Sequence, residues 1–317
     1  MRRCSMSTNQ PAVKAPPLWV IKVRAPFFTA SIIPVCLGAA IAWAQTGVFH
    51  WGYFLLTLIA AVSLHAGTNM TNDYFDHVWG SDEINTEFAN PFTGGSRLIQ
   101  MGRVEPRRIL WEGIGYFVLG SLIGLGLTFT RGVGILWLGL IGVFSGYFYT
   151  APPFRLAGKG IGELLIGLCF GPLMVAGSYY TQTQTVSLEA VVAALPVGVL
   201  IALVVWINQF QDMKADAAVG KRHWVARLGR RRSALVYGAS LGLTYLLLVL
   251  GVLLADVTPF ALAGLLTVPT AIAAYRVARE HYDDPQALIP ANAATIQIHL
   301  RTGLLITLGY LLQGIIR

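Results

Sequence analysis

Apolar stretches separated by short polar segments follow one another almost without interruption, at roughly 26–44, 52–73, 110–130, 133–150, 161–180, 189–211, 233–254, 258–277 and 299–316. Each approaches the about 20 residues that an α-helix needs to cross the hydrocarbon of a bilayer. The pattern therefore predicts an all-α integral membrane protein of about nine transmembrane helices. No linker-like break divides the series, so residues 1–317 read as a single membrane domain. Residues 1–20 read as a flexible or interfacial N-terminal segment. They lack an apolar run ending in a small-residue cleavage site, which leaves the first span as the expected insertion signal.

Composition strengthens this reading. Hydrophobic residues make up 55% of the chain and charged residues 12%, against about 45–50% and 25% in soluble domains. Charge placement then orients the spans. With the N-terminus inside, 21 of the 23 Lys and Arg residues fall on the inner side, and only Arg131 and Arg317 fall outside. The expected location is the cytoplasmic membrane of a prokaryote, multi-pass, with the active site facing the cytoplasm. The net charge of +8 fits this topology and attraction to anionic lipid, or an anionic substrate. Nucleic acid is disfavoured as a partner, because the basic residues are dispersed among loops without a recognition module. Cys4, Cys36 and Cys169 have neither zinc nor disulfide-framework spacing. Glycines inside the spans, among them Gly113, Gly115, Gly120, Gly124 and Gly126, predict close helix packing.

The chemistry concentrates at the ends of the second and sixth spans, in Asn69-Met-Thr-Asn72-Asp73-Tyr-Phe-Asp76 and Asn208-Gln-Phe-Gln-Asp212-Met-Lys-Ala-Asp216. Asn72 precedes Asp76 by four residues, as Asn208 precedes Asp212, so each pair stacks on one helical face. Carboxylates gathered at membrane depth mark function, and their repulsion calls for cations. Oxygen ligands of this kind suit Mg²⁺, which takes one or two carboxylates, waters and substrate phosphate oxygens. Solvated helix ends are the bland alternative for one cluster, but two similar clusters on one membrane face argue against it. Nearby Arg and Lys can meet phosphate oxygens; Arg24 is one phosphate candidate and Asn69 another site residue. The fourth span ends in Ser145-Gly-Tyr147-Phe148-Tyr149-Thr150-Ala-Pro152-Pro153, where prolines stop the helix and Tyr147 or Tyr149 either lines a carbocation pocket or belongs to the interfacial aromatic belt. His65 reads as a structural histidine; Gln209 and Gln211 read either as supports for the ligands or as caps at the helix interface.

Four segments carry a resemblance: RAPFFTASIIPVCLG at 24–38, GTNMTNDYFDHVWGSD at 67–82, GYFYTAPPFRLAGKGIGELLIGLCFGPLMVAGSYY at 146–180 and NQFQDMKADAAVGKRHWVARLG at 208–229. Together they resemble the UbiA superfamily of intramembrane prenyltransferases, and within it the 1,4-dihydroxy-2-naphthoate polyprenyltransferases of menaquinone synthesis. Gly80 stands where the common superfamily pattern has a further Asp, with Asp82 two residues on, which is similar to the naphthoate branch. Asn208-Gln-Phe-Gln replaces that branch's second Asn and Arg, and His223-Trp224 replaces its usual Thr-Leu. The resemblance implies a helical bundle around a central cavity, and transfer of a polyprenyl group from an allylic diphosphate to an aromatic acceptor. It implies Mg²⁺ held by Asn72, Asp76, Asn208, Asp212 and Asp216, with Asp73, Asp76, Asp212, Asp216 and Tyr149 in catalysis. Arg24, Asn69, Arg97, Arg155, Lys214 and Lys221 are its diphosphate-binding candidates. An acceptor of the 4-hydroxybenzoate or homogentisate type is the alternative. A CDP-alcohol phosphotransferase lacks its Asp-Gly-x-x-Ala-Arg start here, and a cation transporter would place its carboxylates near the midplane.

Overall fold

The computed structural model describes residues 16–317, and every element among them is helical. Most of the expected N-terminal segment 1–20 lies outside the described residues. Nine long helices form the body: α1 Ala25–Thr46, α2 Trp51–Trp79, α3 Pro106–Arg131, α4 Gly134–Phe148, α5 Gly162–Thr183, α6 Leu188–Ala218, α7 Arg230–Leu254, α8 Pro259–Glu280 and α9 Ile289–Ile316. Seven are long and apolar enough to cross a membrane by length and composition, and α4 is a shorter apolar helix. Helix α9 has the length but carries Asn292, Gln297, His299 and Arg301 in its first half. The chain is a multi-pass membrane protein.

Each helix packs against its successor, and α9 closes the ring on α1. Helices α1 and α6 are the enclosed pair, with 61% of each span buried against 22–33% in the other five long apolar spans. Outward faces carry large apolar side chains such as Trp111, Leu122, Phe129, Trp137 and Leu254, an arrangement suited to lipid.

Small residues set the tightest contacts. A Cβ on Gly67 would stand 2.9 Å from the Gly113 carbonyl, which binds α2 to α3. One on Gly198 would stand 2.5 Å from the Gly167 carbonyl, which binds α6 to α5. The expectation for α3 holds for Gly113 and Gly120 only; Gly115, Gly124 and Gly126 have open space where a Cβ would be. Gly124 instead lines the central cavity.

Two boundaries matter for the site. Helix α2 runs on to Trp79 and α6 to Ala218, so both Asn/Asp clusters are wholly helical. Near the middle of α5 one turn widens over Cys169–Leu173, where Pro172 supplies no amide donor. Arg131 donates to the carbonyls of Thr181 and Gln182 at the end of α5, and Arg317 to those of Ala44 and Gln45 at the end of α1. Both lie at the end of the bundle opposite the two clusters.

Candidate active site

On α2 the four-residue spacing stacks Asn72 under Asp76, and Asn72 Nδ2 donates to Asp76 Oδ2 at 3.0 Å. On α6 Asn208, Asp212 and Asp216 form a matching stripe on the cavity wall. After α6, Gly220 turns the chain with φ +81° and brings Lys221 back between the two helices. Lys221 Nζ lies 2.5 Å from Asp76 Oδ1 and 3.2 Å from Asp216 Oδ1. Burial works against the charged ammonium, but Asp216 and Asp76 outweigh it and raise the Lys221 pKa above its ordinary value. His223 caps the short helix Trp224–Leu228, its Nδ1 accepting from the Ala226 amide at 3.2 Å. In the neutral ring the proton therefore sits on Nε2, 3.5 Å from Asp216 Oδ2.

Arg24 enters from the other side. It stands in the left-handed region immediately before α1, with φ 52°, and pairs with Asp73 while donating to Asn72 Oδ1 at 3.2 Å. Asp73 also accepts from the Ser96 amide at 3.3 Å. This places Asp73 behind Arg24, as its anchor. Gly95, at φ +71°, fills the crease: a Cβ there would lie 2.8 Å from Asp82 Oδ2, 2.9 Å from Asp73 Oδ1 and 3.0 Å from Arg24 Nη2. Burial, followed by the charges of Asp76 and Asp73, raises the Asp82 carboxyl well above the usual carboxylate range.

Beneath this charged mouth opens a cavity of about 560 Å³. Its wall follows α2 from Asp76 to Thr57, about 28 Å at the α-helical rise of about 1.5 Å per residue. Below the mouth the lining turns mainly apolar, with Leu64, Ala61, Leu138, Val143 and Leu173, and reaches Thr57, Thr128, Ser178 and Thr181. Tyr149, just past the end of α4, is part of this wall; burial, then the charge of Glu163, raises its pKa and keeps the phenol protonated. Tyr147 packs against Phe75 and Phe117 at 6.2 and 6.0 Å between ring centroids. His65 shares a 2.9 Å hydrogen bond with Ser31 and meets Phe28 and Phe170 edge-on.

Of the expected site residues, the cavity gathers Arg24, Asn69, Asn72, Asp76, Tyr149, Asn208, Asp212, Asp216 and Lys221. Asn69 also donates to the Val23 carbonyl at 3.0 Å. Three basic candidates are engaged elsewhere. Arg97 lies over the Phe88 ring at 4.3 Å and donates to the Asp82 carbonyl. Arg155 lies over Trp79 at 3.4 Å, and Lys214 pairs with Glu87 at 2.5 Å. Sequence reasoning passed over the supports of α6: Asn85 donates to Asp212 Oδ1 at 2.7 Å and Asn292 to Asn208 Oδ1 at 2.8 Å. Both contacts join residues far apart in the chain, so no local pattern announces them.

Among the described residues no three Asp, Glu, His or Cys side chains form a ready-made metal cage. Carboxylates and amide oxygens facing one another across an open cavity nevertheless fit a hard divalent cation, which takes few protein ligands and completes its shell with waters and phosphate oxygens.

The chain is 30% identical to the 2-carboxy-1,4-naphthoquinone phytyltransferase of Synechocystis sp. over 92% of both chains. It is 32% identical to the 1,4-dihydroxy-2-naphthoate octaprenyltransferase of Mycobacterium tuberculosis, over 81% of this chain and 84% of that one. The fold matches that of a UbiA homolog from Archaeoglobus fulgidus bound to DMAPP and Mg²⁺, with a TM-score of 0.62 at 15% identity, covering 92% of this chain and 99% of the other. The model of the UbiA prenyltransferase family matches residues 31–296, and the chain belongs to that family.

Proposed function

We propose that this protein transfers a polyprenyl group from an allylic polyprenyl diphosphate to 1,4-dihydroxy-2-naphthoate, in a Mg²⁺-dependent reaction of menaquinone synthesis at the cytoplasmic face of a prokaryotic membrane. The observation that carries this reading is the facing pair of Asn/Asp stripes, bridged by Lys221, at the mouth of a cavity whose depths are mainly apolar. Such a cavity suits a ligand with a charged head and a long hydrocarbon tail. The naphthoate ring is favoured by the relatives from Synechocystis and Mycobacterium, both named for naphthalene-derived acceptors.

In this reading Asp76, Asp212 and Asp216, with Asn72 and Asn208 beside them, would hold Mg²⁺. When bound, the ion would supply positive charge to the diphosphate; in the transfer the allylic carbon–oxygen bond breaks and its electron pair leaves with oxygen. Lys221 and Arg24 add fixed positive charge at the same mouth. Asn85 holds Asp212 and Asp73 holds Arg24, so the charges are oriented before the substrate arrives. Tyr149 presents a neutral, polarisable ring on the wall where an allylic cation needs shielding from water. The electron-rich acceptor carbon forms the new carbon–carbon bond, and the ring recovers aromaticity by releasing its carboxylate as carbon dioxide. Arg97, Arg155 and Lys214 shape the loops around the mouth.

The test is transfer of a radiolabelled prenyl group to 1,4-dihydroxy-2-naphthoate in liposomes, with Mg²⁺ and then with EDTA. The expected result is a prenylated naphthoquinol that forms with Mg²⁺ and disappears with EDTA. Transfer to 4-hydroxybenzoate or homogentisate in its place would overturn the acceptor and leave the reaction class standing.

Gly95→Ala tests the crease behind Arg24. The new Cβ meets Asp73 and Arg24 in a backbone conformation that L side chains resist. Expected are a stability loss of about 1–3 kcal/mol in detergent denaturation and a slower transfer rate. Wild-type behaviour in both measurements would show that the crease has room to give.

A further inference from the structure

Gln209 precedes Asp212 by three residues on α6, so it shares the cavity-facing stripe about 4.5 Å deeper than the carboxylate. The residue is only 8% exposed, and its Oε1 has no hydrogen-bond partner among the described residues. Its neighbours are satisfied. Asn208 accepts from Asn292, and Gln211 donates to Asn292 Oδ1 at 2.9 Å and to the Pro285 carbonyl at 3.2 Å. An amide oxygen left unpaired in a buried wall is destabilising unless a ligand completes it. On α2, Asn69 also lies on the wall, three residues before Asn72.

The chemistry of the proposed reaction narrows what such an amide binds. The diphosphate has the charged mouth above, and a polyprenyl tail has no hydrogen-bonding group to offer. The remaining polar ligand atoms belong to the acceptor ring's hydroxyl and carboxylate substituents. A neutral amide can bond either one without placing an anion where it would trap the allylic cation. Resting on the prenyl-transfer reading, we infer that the Gln209 amide binds a polar substituent of the aromatic acceptor and orients the ring beneath the diphosphate.

The experiment uses the full chain in liposomes with Gln209→Leu, and Gln209→Met as a second variant of similar length. It compares KM for acceptor, KM for polyprenyl diphosphate and the inhibition constant of 1-hydroxy-2-naphthoate. Loss of one buried hydrogen bond to the ligand should raise the acceptor KM and the inhibition constant together by about tenfold or more. The KM for the diphosphate should stay within about twofold. Gln209→Asn, which keeps an amide on a shorter arm, should fall between wild type and leucine. A parallel rise in both KM values, a fall in kcat alone, or no change would overturn the inference and assign Gln209 to packing. Failure of the wild-type protein to prenylate any aromatic acceptor would instead overturn the reading beneath it.

Discussion

Asp76→Ala and Asp212→Ala should each lower prenyl transfer by at least about 10²–10³-fold, the range seen when one preorganised electrostatic contact is removed from a developing charge. Neither variant should lose its fold. Asp76 lies on the cavity wall, bridged to Lys221 on one oxygen and Asn72 on the other, and Asp212 takes a single contact from Asn85. Both carboxylates face the cavity. The check is the initial rate of transfer beside the gel-filtration profile and thermal midpoint in detergent. Undiminished turnover in either variant would remove the carboxylate stripes from the reaction.

Lys221→Met should be the second severe lesion, and its effect divides between stability and rate. The ammonium is the cation that stands between Asp76 and Asp216, whose side chains are 12% and 13% exposed. Removing one partner of a buried pair typically costs about 3–5 kcal/mol, because the remaining charges lose their compensation. The transfer rate should fall by about 10²-fold or more, since the same charge faces the departing diphosphate. Mg²⁺ can neutralise the carboxylates that lysine leaves behind. Addition of Mg²⁺ should therefore raise the thermal midpoint of Lys221→Met more than that of wild type. An equal shift in the two proteins would mean that the cation does not bind between these carboxylates.

Asn72 with Asp76, and Asn208 with Asp212, were legible because both pairs recur at helical spacing at the ends of apolar runs. The spans were legible for the same reason, since lipid demands long apolar helices whatever their partners. Ambiguity began with the basic residues. In sequence Arg97, Arg155, Lys214 and Lys221 look alike, each following an acidic or aromatic segment. In three dimensions two of the arginines stack on Phe88 and Trp79, Lys214 meets Glu87, and only Lys221 turns into the cavity. Tertiary packing decides between them, and local spacing carries no record of it. The glycines of α3 teach the same lesson, because Gly113 and Gly124 differ only in what faces them. Asn85 and Asn292 were the least visible, being unremarkable polar residues until their remote partners are known.

The contact between Asn292 and Asn208 has a consequence for biosynthesis. Helix α9 is the last of the nine to leave the ribosome, yet it supplies the amide that steadies the foot of the α6 stripe. Until α9 docks, a nascent bundle already contains every carboxylate of the site without that brace. Docking of α9 thus closes the helix ring and braces the α6 stripe in one step. An intermediate in which α9 has not docked would hold Asn208 without its Asn292 partner and α1 without its closing neighbour, a state with more bare surface for quality-control proteases to meet than the folded bundle presents.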